Sequence, residues 1–302
     1  MFDSAIMRAL AFGSAAVLIG LVPLGFSGYF LELGNSAAVV RPQAGVLLIP
    51  LSVIMFLMRA KRRAVFSFAV AVMAVGSIAP GVFSSGTDCT DGCLKLYQKN
   101  LLSKAWPRYP LADDIIASGA EIVTLQEVSD HNRRFMANMF DHYPNTVTCK
   151  FRPAQDVAIL TSLPVVDGSE FCLAKAGLAG IQVLSPNGQP IWVLSVHLEW
   201  PFPFNQYEQS QTIATRIAGL KGPILIAGDF NMVPWGGNVE RIKQAAGNHR
   251  LGAFRNTFKL GGWLLPLPID SVLVPKGATG SVELRPYLGS DHLGVLSRIS
   301  LP

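Results

Sequence analysis

The chain has 302 residues, a formal net charge of +5 and a sequence pI near 9.1, with 50% hydrophobic residues and a mean hydropathy of +0.36. That length is long for one ordinary domain and short for two large ones, and the apolar surplus sits almost entirely in the first 87 residues. From Leu94 onward, 19 Lys and Arg stand against 16 Asp and Glu, a net of about +3, well short of the basic balance of a protein that grips a nucleic-acid backbone.

No charge occurs over the 23 residues 9–31, the 17 residues 42–58 or the 24 residues 64–87. A spanning helix needs ~20 apolar residues, within roughly 17 to 25, so the first and third runs qualify easily and the second only just. A secretory signal has an apolar region of only ~7–15 residues and would leave two runs unexplained. The expectation is a membrane domain over 1–87 with three transmembrane helices, at about 9–31, 42–58 and 64–83. A re-entrant second segment is the alternative. Residues 59–63, Arg-Ala-Lys-Arg-Arg, hold four cations in five positions, whereas the expected loop 32–41 carries one acid and one base. The positive-inside rule then puts the basic loop and the N-terminus in the cytoplasm. Everything after Thr87 lies on the extracytoplasmic, periplasmic side of the plasma (inner) membrane. Cys89, Cys93, Cys149 and Cys172 all fall on that exported side. Disulfides suit an oxidising compartment better than a metal site without a second ligand pair, and three pairings stay open.

After a polar linker at 88–93, strands outnumber helices to the end of the chain. Residues 94–100 alternate and read as a strand ending at Asn100, and 110–119 has helical spacing with Leu111, Ile115 and Ile116 on one face. A second strand covers 121–128, with Glu127 near its end, and a helix 132–140. Strands follow at 145–151, 157–160 and 169–173, and those at 181–184 and 191–197 flank a turn at Pro186-Asn187-Gly188. An amphipathic helix at 205–220 leads into the buried strand 223–227, which closes on Gly228-Asp229-Phe230-Asn231. A helix at 239–246 and strands at 269–274, 281–285 and 295–301 complete the series.

The ends of these strands carry the chemistry. Side chains alternate along a strand, so Asp229 and Asn231 share one face while Phe230 turns into the packing. The carboxylate can take a proton from water, and the neutral amide can donate to a phosphate oxygen without repelling it. Hydrolysis of a phosphoester with a divalent cation also needs a metal-holding carboxylate, donors to the phosphoryl group and an acid. Glu127 closes an apolar strand as a metal-ligand candidate, His197 is a phosphate donor, and Asp270 could fix the tautomer of His292. Each has a plainer alternative: a solvated strand terminus, a core histidine or a turn residue.

The order Asn100, Leu-Gln-Glu-Val around Glu127, His197-Leu198, Gly-Asp-Phe-Asn at 228–231, Ile269-Asp270 and Ser290-Asp291-His292 resembles the endonuclease/exonuclease/phosphatase superfamily over residues 94–302. The resemblance implies an α/β fold, a four-layer sandwich of two mixed sheets flanked by helices and preceded here by the three transmembrane helices. It implies Mg²⁺, with Mn²⁺ as a substitute, held by Glu127 with Asn100 and Asp291 beside it. His197 and Asn231 would hold the phosphate, Asp229 would orient or deprotonate the water, and His292 paired to Asp270 would be the other catalytic group, as base or as stabiliser. The first strand is a loose version of the family's, and the domain has little room for loops that confer DNA or inositide specificity.

Two aromatic loops, Trp200-Pro201-Phe202-Pro203-Phe204 and 261–266, stand next to these positions. Either they fill the rim between the sheets, or they form an apolar lip that touches a bilayer. With a membrane tether and a weak basic balance, a lipid phosphate is expected ahead of nucleic acid as the substrate partner. A nuclease is the alternative, and a silent binding module a third reading; none of the motif residues is lost.

Overall fold

Three long apolar helices open the chain in a computed structural model that describes residues 5–89, 92–104, 109–261 and 265–302. They are α1 (Ala5–Phe26), α2 (Glu32–Leu57) and α3 (Lys61–Gly76), the last extended by the short α4 (Ala79–Val82). The three are long and apolar enough to cross a membrane. The expected loop over 32–41 is instead the beginning of α2, with Glu32 in its first turn and Arg41 buried inside it. The Arg41 guanidinium donates to the Gly25 carbonyl at 2.8 Å and to the Ser77 hydroxyl at 3.3 Å, and lies 3.8 Å from the centre of the Phe26 ring. A cation whose terminal nitrogens are held by neighbouring helices does not end a helix, so a reading based on charge-free runs made this one too short. At 1.5 Å per residue, α2 is ~39 Å long and exceeds the ~30 Å hydrocarbon layer.

The remainder runs β1 (Leu94–Asn100), α5 (Tyr109–Ala117), β2 (Ile122–Val128), α6 (Asp130–Phe135), α7 (Ala137–His142), β3 (Asn145–Cys149), β4 (Asp156–Thr161), β5 (Phe171–Leu173), β6 (Leu178–Leu184), β7 (Pro190–His197), α8 (Gln206–Ala218), β8 (Ile224–Asp229), α9 (Gly237–Ala246), β9 (Asn248–Arg250), β10 (Phe258–Leu260), β11 (Leu265–Leu267), β12 (Asp270–Pro275), β13 (Thr279–Arg285) and β14 (Gly294–Ser300). The helix expected over 132–140 is two helices that break at Met136 (φ −118°, ψ 23°). It starts at Asp130 because Ser129 and Asn132 form a reciprocal capping box. β9, β10 and β11 have three residues each, too few for alternation to register.

Two mixed six-stranded sheets result, in the orders β13-β14-β1-β2-β4-β3 and β5-β6-β7-β8-β12-β9. Each contains one parallel pair, β1–β2 and β7–β8, with α5 and α8 in the crossovers. Parallel neighbours need such a crossover, and it brings the C-terminal ends of both strands to one edge. The inner faces meet in a core that includes Leu94, Leu96, Ile122 and Ile159 from the first sheet and Ile181, Val193, Leu225 and Val272 from the second. The outer face of the first sheet packs with Leu111, Ile115 and Met139, and that of the second with Ile213, Ile217, Val239 and Ile242. Four layers follow: helix, sheet, sheet, helix. The cysteines pair as Cys89–Cys93 and Cys149–Cys172.

Candidate active site

Six of the eight residues expected at the site, Glu127, His197, Asp229, Asn231, Asp291 and His292, line one cleft of about 180 Å³. The other two, Asn100 and Asp270, are buried behind it and bond to its walls. The parallel pairing explains the convergence: His197 lies opposite Asp229 across β7–β8, and Asn100 opposite Gln126 across β1–β2.

Glu127 reaches the cleft through a backbone irregularity. Along β2, Ile122 packs between the sheets and Val123 and Leu125 pack against the helices, so a regular strand would carry Glu127 to the helix side. The register slips between Leu125 and Val128, and Glu127 takes a φ of +55°, which breaks the alternation. Its Oε2 accepts from the Ser103 amide at 3.0 Å and its Oε1 from Asn100 Nδ2 at 3.2 Å. Asn100 Nδ2 also donates to Asp229 Oδ2 at 2.9 Å, so it joins the two carboxylates, while its own Oδ1 accepts from the Leu102 amide at 2.9 Å.

The opposite wall is drier. Asp229 is buried; its Oδ1 accepts from the Asn231 amide at 2.8 Å, and its Oδ2 lies 3.7 Å from both His197 Nε2 and His292 Nε2. His292 Nδ1 is 2.8 Å from Asp270 Oδ2, and Asp270 Oδ1 accepts from Gln98 Nε2 at 2.8 Å. The row Gln98, Asp270, His292, Asp229 is therefore one continuous polar chain. Phe258 covers the His292 ring at 4.8 Å. Asn231, at φ +44°, donates its amide to the Leu198 carbonyl at 2.7 Å. Asp291 is half-exposed, 4.0 Å from His292 Nε2.

Burial and charge set the protonation of this wall. Burial pushes the Asp229 carboxyl up to about 7, against the pull of His292. Burial pulls His292 down, but Asp270 and Asp229 together outweigh it and hold the imidazole up to about 9. For Asp270, burial is likewise outweighed by the charge and hydrogen bond of His292, and its carboxyl stays below the ordinary range. Burial draws His197 down to about 4, and the charges of Glu127 and Asp270 do not offset it; its Nδ1 is buried with no hydrogen-bond partner among the described residues.

Two donor sets could hold a cation. Asp229, Asp270 and His292 offer ligand atoms within 4.8 Å of one another. Asp270, however, already holds Gln98 and His292 Nδ1, so that group is a proton network and not an ion cage. Glu127 and Asp291 suit an ion better: hard carboxylate oxygens on the wall of the same cleft, the donors that Mg²⁺ and Mn²⁺ prefer. Only single donors engage the two Glu127 oxygens among the contacts described, which leaves lone pairs for an ion.

The sequence reading missed the support beneath these groups. Gln98 Nε2 also donates to Gln126 Oε1 at 2.8 Å, and Gln126 Nε2 to Ser195 Oγ at 3.0 Å, a buried polar spine between the sheets. The signal was present: Gln98 shares a strand face with Leu94 and Leu96, where an amide needs a specific partner. Lys99 is buried and donates to the carbonyls of Pro286, Tyr287 and His292 at 3.1, 3.0 and 2.6 Å, fixing the segment that presents Asp291 and His292.

Of the aromatic loops, Trp200 and Phe204 line the cleft, and Phe202 and Phe204 are 46% and 49% exposed. The Phe202 carbonyl accepts from Ser36 Oγ of α2 at 3.0 Å. Of the loop 261–266, Gly262, Trp263 and Leu264 lie outside the described residues. A wider cleft of about 500 Å³ adjoins the site through Phe151 and Arg152, with Lys150 and His131 but also Asp130 and Asp156 on its walls.

Comparison with known proteins gives the same frame. A family model described as "Endonuclease/Exonuclease/phosphatase family" matches residues 99–292. Among solved structures, D. rerio TDP2 humanized by 14 mutations superimposes with a TM-score of 0.57 at 17% identity, over 70% of this chain and 100% of that one. An endonuclease/exonuclease/phosphatase from Beutenbergia cavernae gives 0.54 at 19% identity, over 69% of this chain and 72% of that one. The mannosyl-6-phosphatase of Bacteroides thetaiotaomicron gives 0.54 at 12% identity, over 69% and 100%. At these identities the likeness is one of fold. No curated protein matches the sequence.

Proposed function

The chain belongs to the endonuclease/exonuclease/phosphatase family, a family of hydrolases of phosphoester bonds, and we propose that it is a membrane-anchored, divalent-metal-dependent phosphoesterase that acts on a lipid phosphate or phosphodiester. One observation carries the chemistry: the buried row Asp270, His292, Asp229 ends in the same cleft as Glu127 and Asp291. Bound to Glu127 and Asp291, with Asn100 beside them, Mg²⁺ would polarise a phosphoryl oxygen and offset its developing charge.

The remaining steps belong to side chains. Asp229, raised to about 7 by burial, is oriented by Asn100 and Asn231 and takes a proton from the attacking water. His292, held up to about 9 by its two carboxylate neighbours, is an imidazolium at neutral pH and donates from Nε2 to the phosphoryl group. Asp270 holds Nδ1 and so aims that proton. His197 stays neutral near pH 7 and donates without adding charge. Asn231 completes the phosphate contacts.

Lipid is favoured by where the cleft sits. The catalytic domain touches the anchor at Tyr29, Asn35, Ser36, Ala38 and Gly81, all at the end away from the basic turn 59–63. Phe30, Leu31 and Leu33 at that end are 77%, 53% and 52% exposed, and Ser36 ties the Phe202 loop beside them. With the basic turn in the cytoplasm, the cleft would face the extracytoplasmic surface of the membrane, where the two disulfides are at home. A nuclease is the second reading, for which Lys150 and Arg152 would line a path. Asp130 and Asp156 in the same cleft oppose it.

The test is hydrolysis by the purified full chain, stripped by chelator and reloaded with Mg²⁺, of bis(p-nitrophenyl) phosphate, phospholipid vesicles and single-stranded and duplex DNA. The expected result is Mg²⁺-dependent turnover of the diester and the vesicles, lowered by about 10²-fold or more in His292→Ala. Cleavage of DNA in preference to lipid would transfer the assignment to the nuclease reading. No metal-dependent turnover of any substrate would overturn both.

A further inference from the structure

A second buried polar cluster lies behind the Asp229 turn, and it begins in the anchor. Asn35 of α2 is fully buried. It donates through Nδ2 to the Gly28 carbonyl at 2.7 Å and accepts at Oδ1 from the Asn238 amide at 3.1 Å. Asn238 passes the connection on: its Nδ2 donates to Gln206 Oε1 at 2.8 Å, and its Oδ1 accepts from Ser210 Oγ and Arg241 Nη1 at 3.1 and 2.8 Å. Gln206 Nε2 in turn donates to the carbonyls of Glu199, Phe230 at 3.1 Å and Asn231 at 3.2 Å. Arg241 donates to the Tyr29 carbonyl, so the anchor is gripped at two points. The fit leaves no slack, because a Cβ on Gly237 would stand 2.1 Å from the Gly28–Tyr29 backbone.

The far end of this chain holds the catalytic backbone. Asn231 sits in the left-handed region, which asparagine tolerates better than most residues and which its bonds to Leu198 and Asp229 help to hold. Glu199 follows His197 by two residues. Gln206 clasps both segments at their carbonyls.

We propose that Asn35 is a positioning residue for the cleft. The anchor completes a clasp, Asn35–Asn238–Gln206, that fixes the backbone after His197 and around Asn231, so turnover depends on the docked anchor and not on the catalytic domain alone. A tether needs no such amides; the linker and the packing of Ala38 against the domain would suffice. A buried amide is unfavourable unless its partners are met. Removing the Asn35 side chain leaves the Asn238 amide and the Gly28 carbonyl unpaired, and a shift of Asn238 to recover a partner pulls Gln206 with it.

The turnover half of the test rests on the phosphoesterase reading, and hydrogen exchange supplies a half that does not. Full-length wild type, Asn35→Ala and Trp235→Phe are compared in detergent with Mg²⁺ and bis(p-nitrophenyl) phosphate. Trp235→Phe is the control, since it removes the Trp235–Ala38 bond of the same joint, outside the clasp. Misplacement by a fraction of an ångström far from the chemistry lowers kcat on the order of 10- to 100-fold, so Asn35→Ala should fall in that range. Its KM should rise as well, because the clasp sets the backbone that carries His197 and Asn231, the groups proposed to hold the phosphate. Amide exchange over 198–206 and 228–236 should accelerate in Asn35→Ala and not in Trp235→Phe. Unchanged kcat and exchange in Asn35→Ala would overturn the proposal, as would a rise in exchange spread over the whole second sheet and matched by Trp235→Phe. If the wild type turns over no diester, the functional assignment fails while exchange still decides the clasp.

Discussion

The molecule presents one topological device twice and equips the two copies differently. β1-α5-β2 and β7-α8-β8 are both parallel crossovers, and each brings a pair of polar side chains to the same edge. The first copy ends at Glu127, partly open, with lone pairs facing the cleft. The second ends at Asp229, sealed between two histidines. The outer layers differ in the same sense. α5 is tied to the first sheet by Asp114, which Arg285 and Tyr97 engage at a partly exposed position. α9 is tied to the N-terminal helix α2, and α8 to α9, through fully buried amide side chains. A strand end delivers a carboxylate; the surroundings decide whether it holds an ion or moves a proton. The first copy is a partly open, charged end, to which the proposed function assigns the metal, and the second a buried one in which carboxyl and imidazole groups depart from their ordinary ionisation.

Disabling the dry half should have the largest effect. A general base contributes about 10²- to 10⁴-fold, so Asp229→Asn should lower kcat by that much with thermal melting little changed, and His292→Ala by as much or more, with a lower melting temperature because Asp270 is left a buried carboxylate without its partner. Asp270→Asn should be milder, and on top of His292→Ala it should add almost nothing, because groups acting as a unit are not additive. Steady-state kinetics beside melting curves checks both statements. Normal turnover with a lowered melting temperature would reduce the constellation to scaffolding.

An intermediate effect is expected at the exposed rings beside the second copy. Phe30 and Phe202 lie outside the cleft lining. Burying part of a phenylalanine in lipid contributes on the order of 1 kcal/mol, so Phe30→Ser with Phe202→Ser should raise KM for vesicles about tenfold or more and leave the soluble diester unaffected. An equal loss on both substrates would mean that these rings support the fold, not lipid access.

The smallest effect belongs to the outer tie of the first copy. Burial pushes the Asp114 carboxyl up, but Arg285 and Tyr97 outweigh it and keep it below its ordinary value. A depressed carboxyl adds stability above the unfolded value, ~3.9, and loses it as pH falls through the folded one. Arg285→Gln should therefore cost no more than about 1 kcal/mol near neutrality, and its melting temperature should converge on that of wild type as the pH drops below about 4. A gap that widens in acid would contradict this sign.

Much of this arrangement was legible in the sequence, for reasons that differ by residue. Alternation and the apolar run 223–227 place Asp229 at a strand end, whereas the two-sheet sandwich comes from the resemblance of the motif order to the superfamily and not from the strand pattern. What alternation could not show is Glu127, whose side chain reaches the cleft only because the strand slips at that point. Gln98 and Lys99 act through contacts across more than 170 residues of sequence, which local pattern does not encode. Arg41 misled the reading of the anchor because its partners, Gly25 and Ser77, belong to other segments. Nothing local marks Asn35, a polar residue in an apolar helix whose partner Asn238 lies 203 positions away.

The contrast between the two copies can be read in one experiment, an Mg²⁺ titration of diester hydrolysis by wild type, Glu127→Gln and Asp229→Asn after chelation. The account predicts that Glu127→Gln shifts the Mg²⁺ concentration for half-maximal rate upward by at least the roughly 10- to 100-fold that losing a mere supporting partner of a ligand costs, with a modest change in the plateau. Asp229→Asn should leave that midpoint near wild type and lower the plateau by about 10²-fold or more. Full wild-type activity in chelator, or the same parameter moving in both variants, would contradict a division of the site into an ion-holding half and a proton-moving half.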